Sequence, residues 1–228
     1  MIKNISNLGD AAVYCDFGSE VNETINSSVI DYFNHLSQLI KDKKISGITN
    51  LTPSYNKLVV SFDLTETNYK KSKNIIENLK FQKNIKKENK KIKIPVCCDD
   101  EYGLDFNRLV EKLRMSKDEI LKLYFDKEYF CYMTGFIAGM PFLGDLNKYI
   151  ECNRLETPRV RVPKGSVGIT EQFTNIYTFE SPGGWNIIGN TPKKIFDYKN
   201  LNQPALVNPG DRVLFYKITK REYLNWNE

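Results

Sequence analysis

The chain has 228 residues, 33 Lys plus Arg against 28 Asp plus Glu, and a formal charge of +5. With 41% hydrophobic and 12% aromatic residues it is too apolar for a disordered chain, and 13 Gly with 9 Pro are too few for a fibrous one. A soluble globular protein remains, long enough for one large domain or two small ones.

The first predicted elements are a short strand pair, with Ala11–Phe17 ending at Gly18, and then a helix over Glu23–Lys43. In that helix Ile25, Val29, Phe33, Leu36 and Ile40 recur every three or four residues, which gives one apolar stripe. His35, the single histidine, falls on the opposite face and reads as a solvent-facing residue. Gly47 ends the helical segment. Thr52-Pro53-Ser54-Tyr55 is turn-like, Leu58–Phe62 is a continuous apolar strand, and a second helix carries Ile75, Ile76 and Leu79. Strand and helix in alternation predict a small α/β sandwich with helices on one sheet face.

Between Lys83 and Lys93, six lysines and one glutamate hold a net +5, so the rest of the chain sums to zero. The lysines alternate with Asn and Ile at a junction, which reads as a solvated connection and not as the aromatic-lined basic stripe of a nucleic-acid binder. The domains are accordingly placed at residues 1–88 and 89–228.

In the second domain Ile92–Cys97 is a strand interrupted by Pro95, which predicts an edge or an entry into a new sheet. Helices follow over Phe106–Leu113 and from Ser116, where Ser116 and Glu119 form a capping box. From Tyr129 short β-rich runs alternate with Gly and Pro turns: Tyr129–Met133, Val160–Val162, Val167–Ile169, Ile176–Phe179, Trp185–Ile188 and Arg212–Ile218. That spacing suits a closed or nearly closed barrel.

No run approaches the ~18 apolar residues of a membrane span, and the N-terminus leads into polar residues, so the expected location is the cytoplasm, with no membrane partner. Cys15, Cys97, Cys98, Cys131 and Cys152 are odd in number and scattered, which predicts reduced thiols. With one histidine and no C-x-x-C pair, no metal site is expected.

Beyond residue 90 there is no histidine, so Ser-His-Asp and Cys-His arrangements are excluded there, and no P-loop sequence is present. Arg159 and Arg161 are two apart on a predicted strand and should project the same way, able to hold a carboxylate or phosphate or else to pair with acidic neighbours on an outer face. Lys164-Gly165-Ser166 sets an amine and a hydroxyl beside a flexible turn. Ser181-Pro182-Gly183-Gly184-Trp185 reads either as an anion-binding nest of backbone amides or as a tight turn with Trp185 anchoring the core. Gly135–Gly144 mixes glycines with large apolar residues, as a mobile loop or pocket wall does.

In order, several segments match one family: Gly9-Asp10-Ala11-Ala12, Pro53-Ser54-Tyr55, Ile94-Pro95-Val96-Cys97, Tyr132-Met133, Gly135-Phe136, Pro158-Arg159 with Arg161-Val162-Pro163, Gly165–Ile169, Ser181–Trp185, Ile188-Gly189, Thr191-Pro192 and Pro209-Gly210-Asp211. Together they resemble the family of the 5-oxoprolinase B subunit, also called allophanate hydrolase subunit 1 or the KipI family. The resemblance implies an α+β chain: an N-terminal α/β sandwich followed by a cyclophilin-like β-barrel. It implies a subunit of an ATP-dependent lactam hydrolase that converts 5-oxoproline to glutamate, with partner subunits A and C and with ATP bound by the assembled complex. Other members resemble inhibitors of a sporulation histidine kinase, or carboxyltransferase components that move a carboxyl group from biotin to urea. The candidate site is Arg159 and Arg161 as catalytic residues, with Ser166, Gln172, Tyr177, Ser181, Gly183, Gly184 and Trp185 binding substrate. Against the family pattern, Tyr124 stands where histidine is common, Phe173 where glutamine is usual and Asn190 where arginine is usual.

Overall fold

The structure, a computed structural model, describes residues 1–81 and 89–227. Lys83, Lys86, Lys87 and Glu88 of the lysine run lie outside the described residues. The chain divides into two compact units, Met1–Glu88 and Asn89–Glu228.

The first unit is a four-stranded antiparallel sheet in the order β1-β2-β4-β3, built from β1 (Asn4–Asn7), β2 (Ala12–Asp16), β3 (Ile48–Pro53) and β4 (Lys57–Phe62). Val13, Cys15, Leu58, Val60 and Phe62 share one sheet face and pack against α1 (Glu23–Lys41) and α2 (Tyr69–Glu77). The Asn22 side chain caps α1 by accepting the Ile25 N–H at 2.9 Å. Within α1 the buried Asn26 donates to the Ser54 and Tyr55 carbonyls at 3.1 and 2.8 Å, tying the helix to the β3–β4 turn. That turn begins after Pro53, so Thr52 and Pro53 belong to a strand. His35 is not solvent-facing: it is buried, its Nδ1 lies 2.8 Å from the Asp31 carbonyl, and its ring meets Phe81 edge-on at 4.6 Å. Phe81, which follows α2, covers a helix face that the stripe of α1 alone leaves open.

The second unit is a closed seven-stranded barrel in the order β10-β7-β6-β13-β5-β12-β9. Its strands are β5 (Lys91–Cys97), β6 (Glu128–Thr134), β7 (Pro141–Gly144), β9 (Ser166–Thr170), β10 (Phe173–Ile176), β12 (Asn186–Asn190) and β13 (Arg212–Ile218). A separate two-stranded ribbon pairs β8 (Arg159–Val162) with β11 (Ser181–Gly183). All seven barrel strands contribute to one apolar cluster, which is therefore the interior, and α3 (Phe106–Leu113) and α4 (Lys117–Phe125) join it through Phe106, Leu109, Ile120, Leu121 and Tyr124. The Ser116–Glu119 capping box starts α4.

Two strand expectations shift and a third is decided between its alternatives. Of the two readings at Pro95, entry into a new sheet holds and the edge does not, since β5 is the first strand of the closed barrel: it pairs fully with β13 in parallel, but its other seam is reduced to the Asn190–Cys97 pair. A missing donor therefore costs little there. The strand expected at Ile176–Phe179 lies at Phe173–Ile176, and Ser181–Gly183 is a strand where a turn was expected. Tyr124 is fully buried, its hydroxyl 2.9 Å from Thr174 Oγ1, where it forms part of the barrel interior.

Candidate functional site

Val167, Ile169 and Ile176 point into the barrel, so the alternation of side chains turns Gly168 and Asn175 outward. Ile187, paired with Gly168, joins this outer face and packs with Met140, Val162 and Tyr177 in a second cluster. A cavity of about 300 Å³ opens beside it. Phe136, Met140 and Phe142 wall one side; Arg154 and Pro158, from the segment before β8, wall another. Tyr177 and the run from Pro182 to Trp185 complete it. The glycine-rich segment after β6 thus supplies a pocket wall, with Phe142 edge-on to Trp185 at 5.6 Å.

Tyr177 and Arg154 are the polar side chains of the cavity wall, and Tyr177 is tightly enclosed. Its hydroxyl presses so close to β11 that a Cβ on Gly183 would lie 2.2 Å from it. Burial pushes the Tyr177 hydroxyl above its ordinary pKa, while the Asn175 side chain, the Trp185 backbone amide and the charges of Arg154 and Arg159 act in the opposite sense. Asn175 is wholly buried, and neither its amide nitrogen nor its oxygen meets hydrogen-bond geometry. Arg159 Nη1 and Ser181 Oγ are also buried without a partner. Unpaired buried polar groups are uncommon, because each forfeits solvation of about 1–3 kcal/mol; none of these three residues lines the cavity itself, but Asn175 and Arg159 both act on Tyr177, which does. Arg154, exposed in the cavity wall, sets its guanidinium 5.9 Å from the Trp185 ring.

Several sequence-predicted residues lie elsewhere or act otherwise. Arg159 and Arg161 do not form a pair. The register between β8 and β11 slips between Ser181 and Gly183, leaving one extra residue on β8 and breaking the alternation. Arg159 then donates from Nη2 to Asp105 Oδ1 at 2.6 Å, while Arg161, 75% exposed, pairs with Glu180 at 2.7 Å. Neither Gly183 nor Gly184 has a positive φ, so Ser181–Trp185 is not a nest; Gly183 is glycine because Tyr177 leaves no space for a Cβ. Ser166 is buried at the start of β9, where its carbonyl accepts the Tyr177 N–H, and it does not line the cavity. Gln172 sits at the β9–β10 turn and donates to Asp145 at 3.3 Å, at the far end of the hairpin from Tyr177. Tyr177, Gly183, Gly184 and Trp185 do come together.

Sequence reasoning missed Arg154, Asn175 and Asp105. Asp105 is 5% exposed and accepts both Arg159 and, at 2.6 Å, the Ile187 N–H, fastening the ribbon to the barrel wall. None of the three stands in a pattern that the sequence displays. All five cysteines are free and buried, and burial raises the thiols, Cys98 to about 12 and Cys152 to about 11, so none is poised as a thiolate. Among the described residues no group of three or more His, Cys, Asp or Glu is placed to hold a metal ion, and no helix is long and apolar enough to cross a membrane.

Residues 3–207 match the family described as carboxyltransferase domain, subdomain C and D. The 5-oxoprolinase B subunit of Bacillus subtilis is 32% identical over 98% of this chain and 96% of its own length. The urea amidolyase of Saccharomyces cerevisiae is 22% identical over 94% of the chain, which spans only 13% of that much longer protein. Among solved structures, the protein TTHA0988 superposes with a TM-score of 0.79 at 27% identity, over 92% of this chain and 40% of that one. With the family model matched over residues 3–207 and the Bacillus subtilis subunit over nearly the whole chain, the chain belongs to the carboxyltransferase-domain family that includes the 5-oxoprolinase B subunit.

Proposed function

We infer that the chain is the B subunit of an ATP-dependent 5-oxoprolinase, a cytoplasmic complex completed by subunits A and C that opens the lactam to glutamate. The observation that carries this reading is the cavity around Tyr177, with apolar walls and one arginine at the mouth. Such a site suits a small ring bearing one carboxylate. Arg154 would take the carboxylate, Phe142 and Trp185 would flank the ring methylenes, and the Tyr177 hydroxyl with the Trp185 amide would face the lactam group. In this reading Arg159 is a positioning residue, since its carboxylate partner Asp105 also holds the barrel wall. ATP is a substrate of the assembled complex, and this chain brings no P-loop to it. The test is reconstitution: the chain mixed with subunits A and C should release ADP only when 5-oxoproline is present, and no such dependence would sink the assignment.

Likeness to urea amidolyase supports a second reading, carboxyl transfer from biotin to a small amide. The two separate cleanly, because avidin would abolish the second activity and leave the first untouched.

A further inference from the structure

A second cavity, of about 310 Å³, lies across Tyr177 from the apolar one, so that this residue belongs to the walls of both. Its other walls carry Lys164, Lys193, Lys194, Asn190 and Tyr223, and no acidic side chain lines it. Lys194 is paired with Asp197 at 2.9 Å. Lys164 and Lys193 have no ion-pair partner among the described residues.

The backbone that carries these two lysines is fixed on both sides. Asn190 Nδ2 donates to the Lys164 carbonyl at 2.9 Å, and Asn190 Oδ1 accepts the Tyr223 hydroxyl at 2.9 Å. Gly165 has φ +82°, and a Cβ there would lie 2.5 Å from Asn190 Oδ1 and 2.6 Å from the Thr191 carbonyl, so the turn closes tightly on its neighbour. The Lys193 N–H donates to Thr191 Oγ1 at 3.2 Å. Two lysines without an ion-pair partner among the described residues thus line one recess of small-ligand size, on a fixed backbone.

The chemistry of the two cavities differs. The apolar one offers a single planar guanidinium, which matches a carboxylate; the second offers two compact point charges, which match an anion carrying more than one negative charge on tetrahedrally arranged oxygens. We propose that the second cavity binds a phosphate-bearing ligand through Lys164 and Lys193. This rests on the charge and shape of the recess and not on the lactam reading.

The experiment is calorimetric titration of the full chain with pyrophosphate and, separately, with ATP. At least one probe is expected to bind, and Lys164→Ala and Lys193→Ala should each weaken it about tenfold or more. Lys148→Ala, an equal charge loss at an exposed residue of the same unit, near the β9–β10 turn that lies at the far end of the hairpin from Tyr177, should change it by less than about twofold. Thermal unfolding of the two rim variants should match the parent, since neither lysine is buried. ATP binding well above pyrophosphate identifies a nucleotide as the source of the phosphate; equal affinities identify a free phosphoanion. Binding of neither probe, or binding that survives both rim substitutions as it survives Lys148→Ala, overturns the proposal. Because 5-oxoproline is not a probe here, failure would leave the lactam assignment standing.

Discussion

Asp105→Ala should destabilise the barrel unit by about 3 kcal/mol, read as a lower urea midpoint at unchanged slope. The carboxylate is 5% exposed and receives two short hydrogen bonds, one from the 27%-exposed Arg159 and one from the Ile187 N–H. Removing it leaves a half-buried guanidinium and a buried amide without acceptors, and such orphaned groups cost more than the pair itself contributes. Arg161→Ala provides the contrast. Its pair with Glu180 is 75% and 50% exposed, where ion pairs are worth about 0–1 kcal/mol, and the midpoint should barely move. Equal losses from the two substitutions would contradict the structure's separation of these arginines.

The second large effect is expected at Gly183. Alanine there would set its Cβ 2.2 Å from the Tyr177 hydroxyl, and Tyr177 is 1% exposed with its ring packed against Met140, Val162 and Ile187. The ring or the β11 strand must shift by on the order of 1 Å, a displacement that costs about 100-fold in turnover when it falls on a positioned group. Overpacking should also cost about 1–3 kcal/mol of stability. Steady-state kinetics of the reconstituted complex, together with urea unfolding, separates the two effects. If turnover remains at the parental level while stability falls, Tyr177 packs the wall and does not serve the ligand.

Much of the fold is legible in the sequence because periodicity reports burial. The α1 stripe, the apolar β4 strand, the capping box of α4 and the β-rich second half all follow from local patterns. Legibility ends where a residue's role depends on partners distant in sequence. His35 is buried by Phe81, which follows a different helix, and Pro95 is tolerated inside the barrel because one seam of β5 is nearly unpaired. The candidate site divides along the same line. Tyr177, Gly183, Gly184 and Trp185 lie close together in one glycine-rich stretch and are readable there, whereas Asp105 reaches Arg159 across 54 residues. The spacing of Arg159 and Arg161 is a sound guide only on a regular strand, and one extra residue in the β8–β11 register removes its premise.

The claim on which the functional account turns is that the cavity around Tyr177 receives the carboxylate of a small lactam at Arg154. It is tested most directly by the KM for 5-oxoproline of the chain reconstituted with subunits A and C, parent against Arg154→Ala. The guanidinium is exposed at the mouth and supports no core, so the variant should assemble normally, with KM raised about tenfold or more and the melting temperature unchanged. An unchanged KM in a correctly assembled, active complex would place the lactam elsewhere and contradict the account.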